Sequence, residues 1–479
     1  MCGIFGIIGN LPIAESIYHG IIQLQHRGQD AAGIFTYDLT TNKYATHKDL
    51  GLVREVFKSD TLPLPNASWG IGHVRYTTIG KGRAEDTQPM YVQKTYTIGM
   101  AHNGNVVNYV PLRKELEQQG AVFETSSDIE VILQLFARNL PDEKIEFKHI
   151  CEAIKKVHEE VVGAYSVVAI IGGKGMVAFR DPKGIRPLLL GYRPEDPAYA
   201  FGSETNALTV FGCRKIEDVK PGEVIFVDKD LQMQQQVVTP CCPAHCSFEY
   251  NYFSKPNTII DKHPIYDIRS RLGTFLGEKV KEARLNIDVV IPIPTTARSA
   301  AISLAKALGV DYEEGFVKQD HIGRTFIMPT QAVRQEALSR KLSAVPSIFK
   351  DKSVILVDDS IVRGTVSKKV VFLSRMAGAR KVYFASTFPP IRHPCLYGID
   401  FPHQDQLIAA EKSIANVCDE IGTEGLFYND VEALKMAIGT DNLCAACLTG
   451  KYPTAIDDGE ELLSLRQKDL KELELACTN

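Results

Sequence analysis

A short apolar run that ends in two adjacent aspartates constrains the fold of this 479-residue chain more than any other segment. Residues 354–357 predict a buried strand, with Asp358 and Asp359 at its end. A turn over residues 360–365 then leads into a helix-like segment at 366–376. The other elements predicted for this half are two strands and one helix, at residues 288–294, 381–386 and 299–308. Such strand–helix alternation predicts a doubly wound parallel sheet whose ligands bind at the carboxyl ends of the strands.

The end of this strand has the chemistry of a sugar-phosphate site. Adjacent carboxylates such as Asp358 and Asp359 suit ribose hydroxyls or a hard cation such as Mg²⁺. Backbone N–H groups at the start of a helix cradle phosphate. The candidate phosphate ligands in the turn are Ser360, Arg363, Gly364 and Thr365. The alternative is a strand end capped by solvated aspartates, but an apolar run followed by Asp-Asp and then Gly-Thr is a demanding pattern.

A basic cluster in the same half suits a polyanion. Its cations are Lys318, Arg324, Arg334, Arg340 and Lys341. In a chain of nearly neutral net charge, such a cluster predicts a lid that closes over pyrophosphate and excludes water. An exposed basic helix is the alternative reading of the same composition.

The segment around Asp358 resembles the phosphoribosyl pyrophosphate (PRPP) signature of type I phosphoribosyltransferases. The resemblance implies that the acid pair meets the ribose hydroxyls and that residues 360–365 hold the 5′-phosphate. It also implies that Thr296, in the loop after the first strand of the sheet, contacts Mg²⁺. The chain departs from the family pattern at Thr295, where an acidic residue is frequent, and at Val366, where a second hydroxyl residue is common.

The second residue of the chain is a cysteine. Removal of Met1 would leave Cys2 with a thiol and a free α-amino group, and an amine with a pKa near ~8 can accept the thiol proton. Cys2 is therefore a candidate nucleophile that carries its own base, with a buried and inert cysteine as the alternative. Because the amine would supply the base, His26 and His73 are expected to support packing. Short strand-like runs and two helical segments in this half predict stacked sheets flanked by helices.

Four segments of this first half resemble the class II glutamine amidotransferases, N-terminal-nucleophile hydrolases with an αββα sandwich. The segments are residues 25–33, 72–78, 101–105 and 126–128. The resemblance implies that Cys2 attacks the side-chain amide of glutamine, while Asn103 and the N–H of Gly104 form the oxyanion hole. It implies further that Arg75 binds the substrate α-carboxylate and Asp128 its α-ammonium. These residue types suit the roles, since each oxyanion donor is worth roughly 10²–10³ in rate and arginine clamps a carboxylate with two hydrogen bonds.

Both motif sets, in this order, resemble the amidophosphoribosyltransferase family over essentially the whole chain. The resemblance implies that ammonia from glutamine passes through a closed apolar passage and displaces pyrophosphate from PRPP. The products are 5-phosphoribosylamine, glutamate and pyrophosphate, in the first committed step of de novo purine biosynthesis. The predicted domains are a glutaminase at residues 2–235, a phosphoribosyltransferase at 236–455 and a surface helical tail at 456–479. The family also implies a homo-oligomer, either a dimer or a tetramer, and inhibition by purine nucleotides.

Eleven cysteines, an odd number, favour metal or catalytic use over a disulfide framework. One branch of the family carries a structural [4Fe–4S] cluster, and its ligand positions match Cys246, Cys395, Cys444 and Cys447. A Cys-x-x-Cys pair is typical of iron–sulfur and zinc sites alike, so spacing does not decide between them. The extra pair Cys241-Cys242 keeps zinc as the alternative.

Net charge and the distribution of apolar residues narrow the class of protein further. A net charge of −4 gives no field that favours nucleic acid or an anionic membrane. No apolar run approaches the ~20 residues of a membrane span and no signal peptide is recognised, so a cytoplasmic enzyme is expected. Two alternatives are a PRPP-sensing regulator without turnover and an amidotransferase that delivers ammonia to another acceptor, such as a sugar phosphate. Cys2 with its oxyanion motif counts against the first, and the acid pair with its Gly-Thr loop counts against the second.

Overall fold

Two antiparallel sheets stack face to face in the first half of the protein. The structure is a computed structural model that describes residues 1–58, 61–77, 82–319, 342–401 and 403–476. Seven strands form one sheet, in the spatial order Lys215–Asp218, Leu189–Arg193, Ala198–Gly202, Gly3–Gly9, Trp69–Arg75, Ala31–Asp38 and Lys43–Leu50. Six strands form the other, in the order Met233–Val237, Glu223–Asp228, Gly175–Arg180, Gly163–Ile171, Thr97–Val106 and Met90–Gln93. Buried side chains such as Ile4, Trp69 and Val168 fill the space between the sheets.

Helices cover the outer faces of both sheets. Ala14–Gln23 and Thr205–Phe211 pack on the seven-stranded sheet, and Ile129–Asn139 and Phe147–Glu160 pack on the six-stranded sheet. The other helical segments of this half are Val53–Val56 and Tyr109–Gln118, with 3₁₀ turns at Gln25–Arg27 and Ala84–Asp86. These four layers confirm the αββα class predicted from the sequence. The strand Met233–Val237 still belongs to this half, so its sheet ends two residues beyond the predicted limit of 235.

A five-stranded parallel sheet organises the second half. Its strands lie in the order Asp311–Tyr312, Val289–Pro292, Ser353–Asp358, Lys381–Ser386 and Gly425–Tyr428, and every neighbouring pair is parallel. Leu356 packs into the apolar cluster on one face, whereas Ile355 and Val357 pack into the cluster on the other. Burial on both faces explains why the strand reads as a continuous apolar run. The predicted parallel sheet is confirmed.

Helices cover both faces of the parallel sheet and continue to the end of the chain. They are Ile265–Glu282, Arg298–Leu308, Pro346–Phe349, Thr365–Met376, Ile414–Ile421, Val431–Ile438, Ala446–Thr449 and Gly459–Ala476, with a π-helical turn at Glu249–Phe253 and a 3₁₀ turn at Gln404–Gln406. Three short strand pairs complete the fold: His245–Cys246 with Leu443–Cys444, Ile259–Ile260 with His263–Pro264, and Phe316–Lys318 with Leu342–Ala344. Within the described ranges, no helix is both long and apolar enough to cross a membrane.

The C-terminal helix differs from the surface tail that the sequence predicts. Leu462 is fully buried in a cluster that also contains residues of the first half. Arg466 is buried as well, and its Nη1 donates to the carbonyl oxygen of Cys395 over 3.2 Å. A partial leucine stripe in a charged segment does not reveal whether a docking surface exists, which is why the sequence alone suggested an exposed position.

Candidate active sites

Cys2 lies directly before the central strand Gly3–Gly9 and is held through its own backbone. Its N–H donates to Asn103 Oδ1 over 3.2 Å, and its carbonyl oxygen accepts from Arg27 Nε over 3.1 Å. The side chain is 7% exposed, and its Sγ lies 3.8 Å from the carbonyl oxygen of Tyr76. The backbone nitrogen that would become the free amine is therefore fixed next to the thiol.

The surroundings of the chain start favour a neutral amine. Met1 is buried, and this burial lowers the pKa of its α-amino group from 8.0 to about 5, against the opposing effect of Cys2. Apolar surroundings penalise the charged ammonium, so the α-amino group of Met1 is neutral at pH 7.

Asn103 contacts Cys2 from the strand Thr97–Val106 of the other sheet, and Gly104 follows it in the same strand. Asn103 is fully buried, and within the described part of the chain its Nδ2 has no hydrogen-bond partner. Gly104 has a φ of +152°, and a Cβ atom there would lie 1.8 Å from the carbonyl oxygen of Ala164. Glycine is therefore required at this position. A buried amide donor next to a nucleophile suits a developing oxyanion.

Arg75 and Asp128 are both buried, at 3% and 4% exposure. One Asp128 carboxylate oxygen accepts from the Val106 N–H over 3.0 Å and lies 3.5 Å from His102 Nε2. Burial by itself raises the pKa of Asp128, but His102, the Val106 N–H and Arg75 outweigh it and leave the pKa below 3.8. Asp128 is therefore ionised at neutral pH and has the charge that an ammonium ligand needs.

His102 is a site residue that the sequence reasoning missed. Its backbone N–H donates to Gln88 Oε1 over 2.8 Å, and Gln88 Nε2 lies 3.0 Å from the ring Nδ1. Since the amide nitrogen can only donate, Nδ1 accepts and the ring proton lies on Nε2, the atom that faces Asp128. The available signal was the position of His102 directly before Asn103, inside the motif that predicted the oxyanion hole.

A buried ion-pair network lies next to Cys2 and contacts its backbone through Arg27. Arg27 donates to Glu204 Oε1 over 2.6 Å and to Glu249 Oε1 over 2.7 Å, and His26 Nε2 lies 2.7 Å from the same Glu204 oxygen. His73 is fully buried, and burial lowers its pKa well below 6.5, so its ring is neutral. Arg27 and its two carboxylates were also missed, because nothing in the sequence links residues so far apart.

The acid pair stands at the carboxyl end of the strand Ser353–Asp358. Asp358 and Asp359 are 8% and 9% exposed. Burial, reinforced by the adjacent Asp359, raises the pKa of Asp358 well above 3.8. Burial also raises the pKa of Asp359 to about 6, although the Ser360 hydroxyl and Arg269 hold it down. Two buried carboxylates that resist ionisation side by side need a cation or hydroxyl donors to stabilise them.

The candidate phosphate loop follows the acid pair and turns into the helix Thr365–Met376. Gly364 precedes that helix with a φ of +75°, and a Cβ atom there would lie 2.4 Å from Ile408 Cδ1. Ser360 is half-buried and donates its hydroxyl to Asp359 Oδ1 over 2.8 Å. Arg363 is exposed, with its Nε 3.3 Å from Gln406 Oε1. The loop is thus open to solvent on the side of Arg363 and closely packed at Gly364.

The remaining predicted PRPP ligands lie on different parts of the second half. Thr296 is half-buried in the loop between Val289–Pro292 and the helix Arg298–Leu308. That strand is the parallel neighbour of the strand carrying Asp358, so both loops leave the same edge of the sheet. Lys318 ends a short strand and is exposed. The other predicted cations, Arg324, Arg334, Arg340 and Lys341, lie outside the described residues.

Four cysteines that are far apart in the sequence line one cavity. They are Cys246, Cys395, Cys444 and Cys447, and all four are buried. The strand that contains Cys246 pairs in parallel with the strand that contains Cys444, directly opposite each other. Burial raises the pKa of Cys246, Cys444 and Cys447. The fully buried guanidinium of Arg186 lines the same cavity, which is otherwise bounded by apolar and aromatic side chains.

A single zinc ion is the alternative that the sequence left open for these four thiols. Zinc binds thiolates at about 2.3 Å and so draws its ligands into one tight tetrahedron. In the part of the chain that the structure describes, no three His, Cys, Asp or Glu side chains are grouped to hold a single metal ion. Cys241 and Cys242 are exposed and do not line the cavity.

Comparison with known proteins agrees with this architecture. A family model described as a glutamine amidotransferase domain matches residues 73–210. The amidophosphoribosyltransferase of Escherichia coli K12 is 43% identical over 489 residues, covering 98% of this chain and 97% of the relative. That of Pyrococcus horikoshii is 45% identical over 453 residues, covering 94% and 96%. A solved structure described as the glutamine PRPP amidotransferase from B. subtilis complexed with ADP and GMP has a TM-score of 0.85 at 39% identity, covering 95% of this chain and 98% of that one.

The fold and the first site together define a class, a glutamine amidotransferase whose sandwich domain is followed by a parallel sheet of phosphoribosyltransferase type. Relatives at this identity match it over nearly its whole length. The chain belongs to the amidophosphoribosyltransferase family. It is a transferase that converts PRPP and glutamine in purine biosynthesis. The family predicted from the motifs is thereby confirmed.

Proposed function

We propose that Cys2 is the nucleophile that releases ammonia from glutamine. The observation that carries this proposal is the 3.2 Å contact between the Cys2 nitrogen and Asn103 Oδ1, because it brings the α-nitrogen, the thiol and an amide donor to one point. The sulfur attacks the side-chain carbonyl carbon of glutamine, its proton passes through the α-amine to the leaving ammonia, and water hydrolyses the thioester to glutamate. Asn103 Nδ2 and the Gly104 N–H stabilise the oxyanion.

Arg75 and Asp128 hold the amino-acid end of the substrate in this proposal. The Arg75 guanidinium pairs with the α-carboxylate, and the ionised Asp128 pairs with the α-ammonium. His102 keeps Asp128 oriented through the Nε2 contact of 3.5 Å. Two fixed charges of opposite sign position the side-chain amide for attack, which is where much of the rate gain of a bound substrate originates.

The second half transfers the ammonia to PRPP. Asp358 and Asp359 bind the ribose hydroxyls, and Ser360, Arg363, Gly364 and Thr365 hold the 5′-phosphate with the backbone N–H groups of the helix start. Lys318, Arg324 and Lys341 neutralise the pyrophosphate as it leaves. Mg²⁺, held by the acid pair and Thr296 together with substrate oxygens, would supply charge stabilisation to the departing pyrophosphate; hard oxygen ligands and few protein contacts are typical of this ion.

Ammonia passes from one half to the other without entering water. Support comes from one apolar cluster that includes buried side chains of both halves, among them Val106, Phe248, Tyr250, Phe388 and Phe401. Free ammonia is protonated in water and loses its nucleophilicity, so a passage lined by such side chains keeps it reactive.

A [4Fe–4S] cluster is the group that the four buried cysteines suit best. Cys246, Cys395, Cys444 and Cys447 would hold it, and its role would be structural, as a crosslink of distant segments. The Arg186 guanidinium supports this assignment because it places a buried positive charge against an anionic cluster. Iron and sulfide analysis of anaerobically prepared protein should give about four of each per chain. Stoichiometric zinc without iron would contradict the assignment.

Purine nucleotides are the proposed inhibitors, and the protein is proposed to act in the cytoplasm as a homodimer or homotetramer. The nucleotide proposal is supported by the B. subtilis structure, which is described as a complex with ADP and GMP. Domains are assigned to residues 2–235, 236–455 and 456–479, with the first sheet continuing to Val237.

One assay separates this function from its two alternatives. Purified protein is incubated with glutamine, PRPP and Mg²⁺, and glutamate and pyrophosphate are both quantified. Equal amounts of the two products support the proposed reaction. PRPP binding without pyrophosphate release would indicate a sensor, and glutamate formation that ignores PRPP would indicate a different acceptor.

A further inference from the structure

Glu249 is a buried carboxylate that the proposed chemistry does not use. It is 1% exposed, and its Oε1 accepts from Arg27 Nη2 over 2.7 Å and lies 3.5 Å from Arg186 Nη1. Arg27 in turn donates to the Cys2 carbonyl oxygen over 3.1 Å. A single arginine therefore separates the Glu249 carboxylate, in the second half of the chain, from the nucleophile in the first half.

Asn251 lies two residues after Glu249 in the π-helical turn Glu249–Phe253 and contacts the sugar-phosphate site. Its Nδ2 donates to the carbonyl oxygen of Asp359 over 3.0 Å, and its Oδ1 accepts from the Thr387 hydroxyl over 2.9 Å. Asn251 is 1% exposed, so neither contact competes with solvent. The turn Glu249–Phe253 thus contacts the backbone of the acid pair through Asn251 and contacts Arg27, which binds the Cys2 carbonyl, through Glu249.

Arg269 makes this turn a stiff connection. Its guanidinium donates to the carbonyl oxygens of Tyr250, Tyr252 and Ser254 over 3.1, 2.9 and 2.6 Å. Arg269 also lies close enough to the acid pair for its charge to lower the pKa of Asp359, although the opposing effect of burial is larger. A π-helical turn is often found at functional sites, and here two of its carbonyl groups, together with that of Ser254 directly after it, are bound to one buried cation.

We propose that Glu249 is a positioning residue that couples occupation of the sugar-phosphate site to the glutamine site, through the contacts Asp359–Asn251–Glu249–Arg27–Cys2. The proposal rests on the function proposed above and identifies how its two sites communicate. When the acid pair binds the sugar, the backbone at Asp359 is held in one arrangement, and the turn transmits that arrangement to Arg27. Arg27 then holds the Cys2 carbonyl so that thiol and oxyanion donors are aligned for attack.

The test compares glutamate release with and without PRPP and Mg²⁺ in the wild type, Glu249→Gln and Asp261→Asn. Asp261 is the control, because its carboxylate pairs with the buried Arg180 over 2.7 Å in another ion pair between the two halves. It also accepts from the Tyr250 hydroxyl over 3.2 Å, so it contacts the same turn, but it is not one of the residues in the proposed chain of contacts. PRPP should stimulate glutamate release by the wild type and by Asp261→Asn to the same factor. Glu249→Gln should reduce that factor by about tenfold, within the range typical of coupled sites. The KM for PRPP, measured with ammonia as the nitrogen source, should stay within about twofold of the wild-type value, because Glu249 lies outside the PRPP site.

Asn251→Ala tests the other end of the connection without touching the buried ion pairs. It should reduce the stimulation as Glu249→Gln does, and the double variant should show less than the sum of the two effects. Glu249→Gln with wild-type stimulation would overturn the proposal, as would an equal loss in Asp261→Asn. If the wild type forms no pyrophosphate or no glutamate, the proposed function itself is contradicted. The same experiment therefore distinguishes failure of the proposed function from failure of the proposed coupling.

Discussion

Replacement of Asn103 by alanine tests the geometry of the glutamine site most directly. The substitution removes Nδ2, the donor placed for the oxyanion, and Oδ1, which accepts from the Cys2 nitrogen over 3.2 Å. Loss of one oxyanion donor costs about 3–4 kcal/mol in the transition state, and loss of one neutral hydrogen bond costs about 1 kcal/mol. We therefore expect kcat for glutamine hydrolysis to fall by about 10³. The KM for glutamine should change little, because the oxyanion exists only in the transition state.

The assay measures glutamate release and, separately, pyrophosphate release with ammonia as the nitrogen source. Ammonia-dependent activity should stay within about twofold of the wild type, since no transition-state contact of that reaction is removed. Asn108→Ala is the matched control, because Asn108 loses two comparable hydrogen bonds, to the Val162 N–H and the Glu160 carbonyl, both at 2.9 Å. It should lower stability without lowering kcat. A loss of glutaminase activity below tenfold in Asn103→Ala, or an equal loss of both activities, would refute the assigned geometry.

Three further changes probe other parts of the protein. Cys2→Ala should abolish glutamate formation while ammonia-dependent activity persists; loss of both activities would contradict separable sites. Asp358→Asn should weaken PRPP use at least tenfold more than glutamine binding, because it removes one of the two carboxyl groups that bind the ribose hydroxyls and Mg²⁺; equal losses would contradict the assignment. Glu204 is fully buried. Burial raises its pKa, but His26 and Arg27 outweigh burial and lower the pKa from 4.5 to about 2. This shift corresponds to about 3 kcal/mol of stability, which is present above pH ~4.5 and is lost as the pH falls toward 2. Urea unfolding of Glu204→Gln should therefore show lower stability at pH 7 and a smaller loss between those two pH values than the wild type.

Local sequence was sufficient where each residue type has one dominant physical consequence. The apolar run before Asp358 predicted a strand, because Leu356 and its neighbours are buried on both faces. The glycine at 364 marked the turn into the helix, since its φ of +75° is a conformation that other residues rarely adopt. The motif around Asn103 and the cysteine at residue 2 suggested one site before their positions were known.

Local sequence was insufficient where a contact depends on how two sheets or two halves pack. The C-terminal helix was expected at the surface because a partial leucine stripe does not specify its partner, and the buried Leu462 was recognisable only in the structure. Glu249 and Arg27 are 222 residues apart, and neither stands in a pattern that announces a buried ion pair.

The amino-acid sequence by itself determined the kinds of chemistry available to this protein: a cysteine at residue 2, a strand that ends in two carboxylates, and four cysteine thiols in the second half. Only the tertiary structure decided that Asn103 contacts Cys2, that His102 lies beside Asp128, that the four cysteines share a cavity, and that one buried turn contacts both sites. The physical reason is that these contacts depend on strand register and on the packing of layers: a register shift of one residue in the strand Thr97–Val106 would turn His102 and Asn103 to the opposite faces of the sheet.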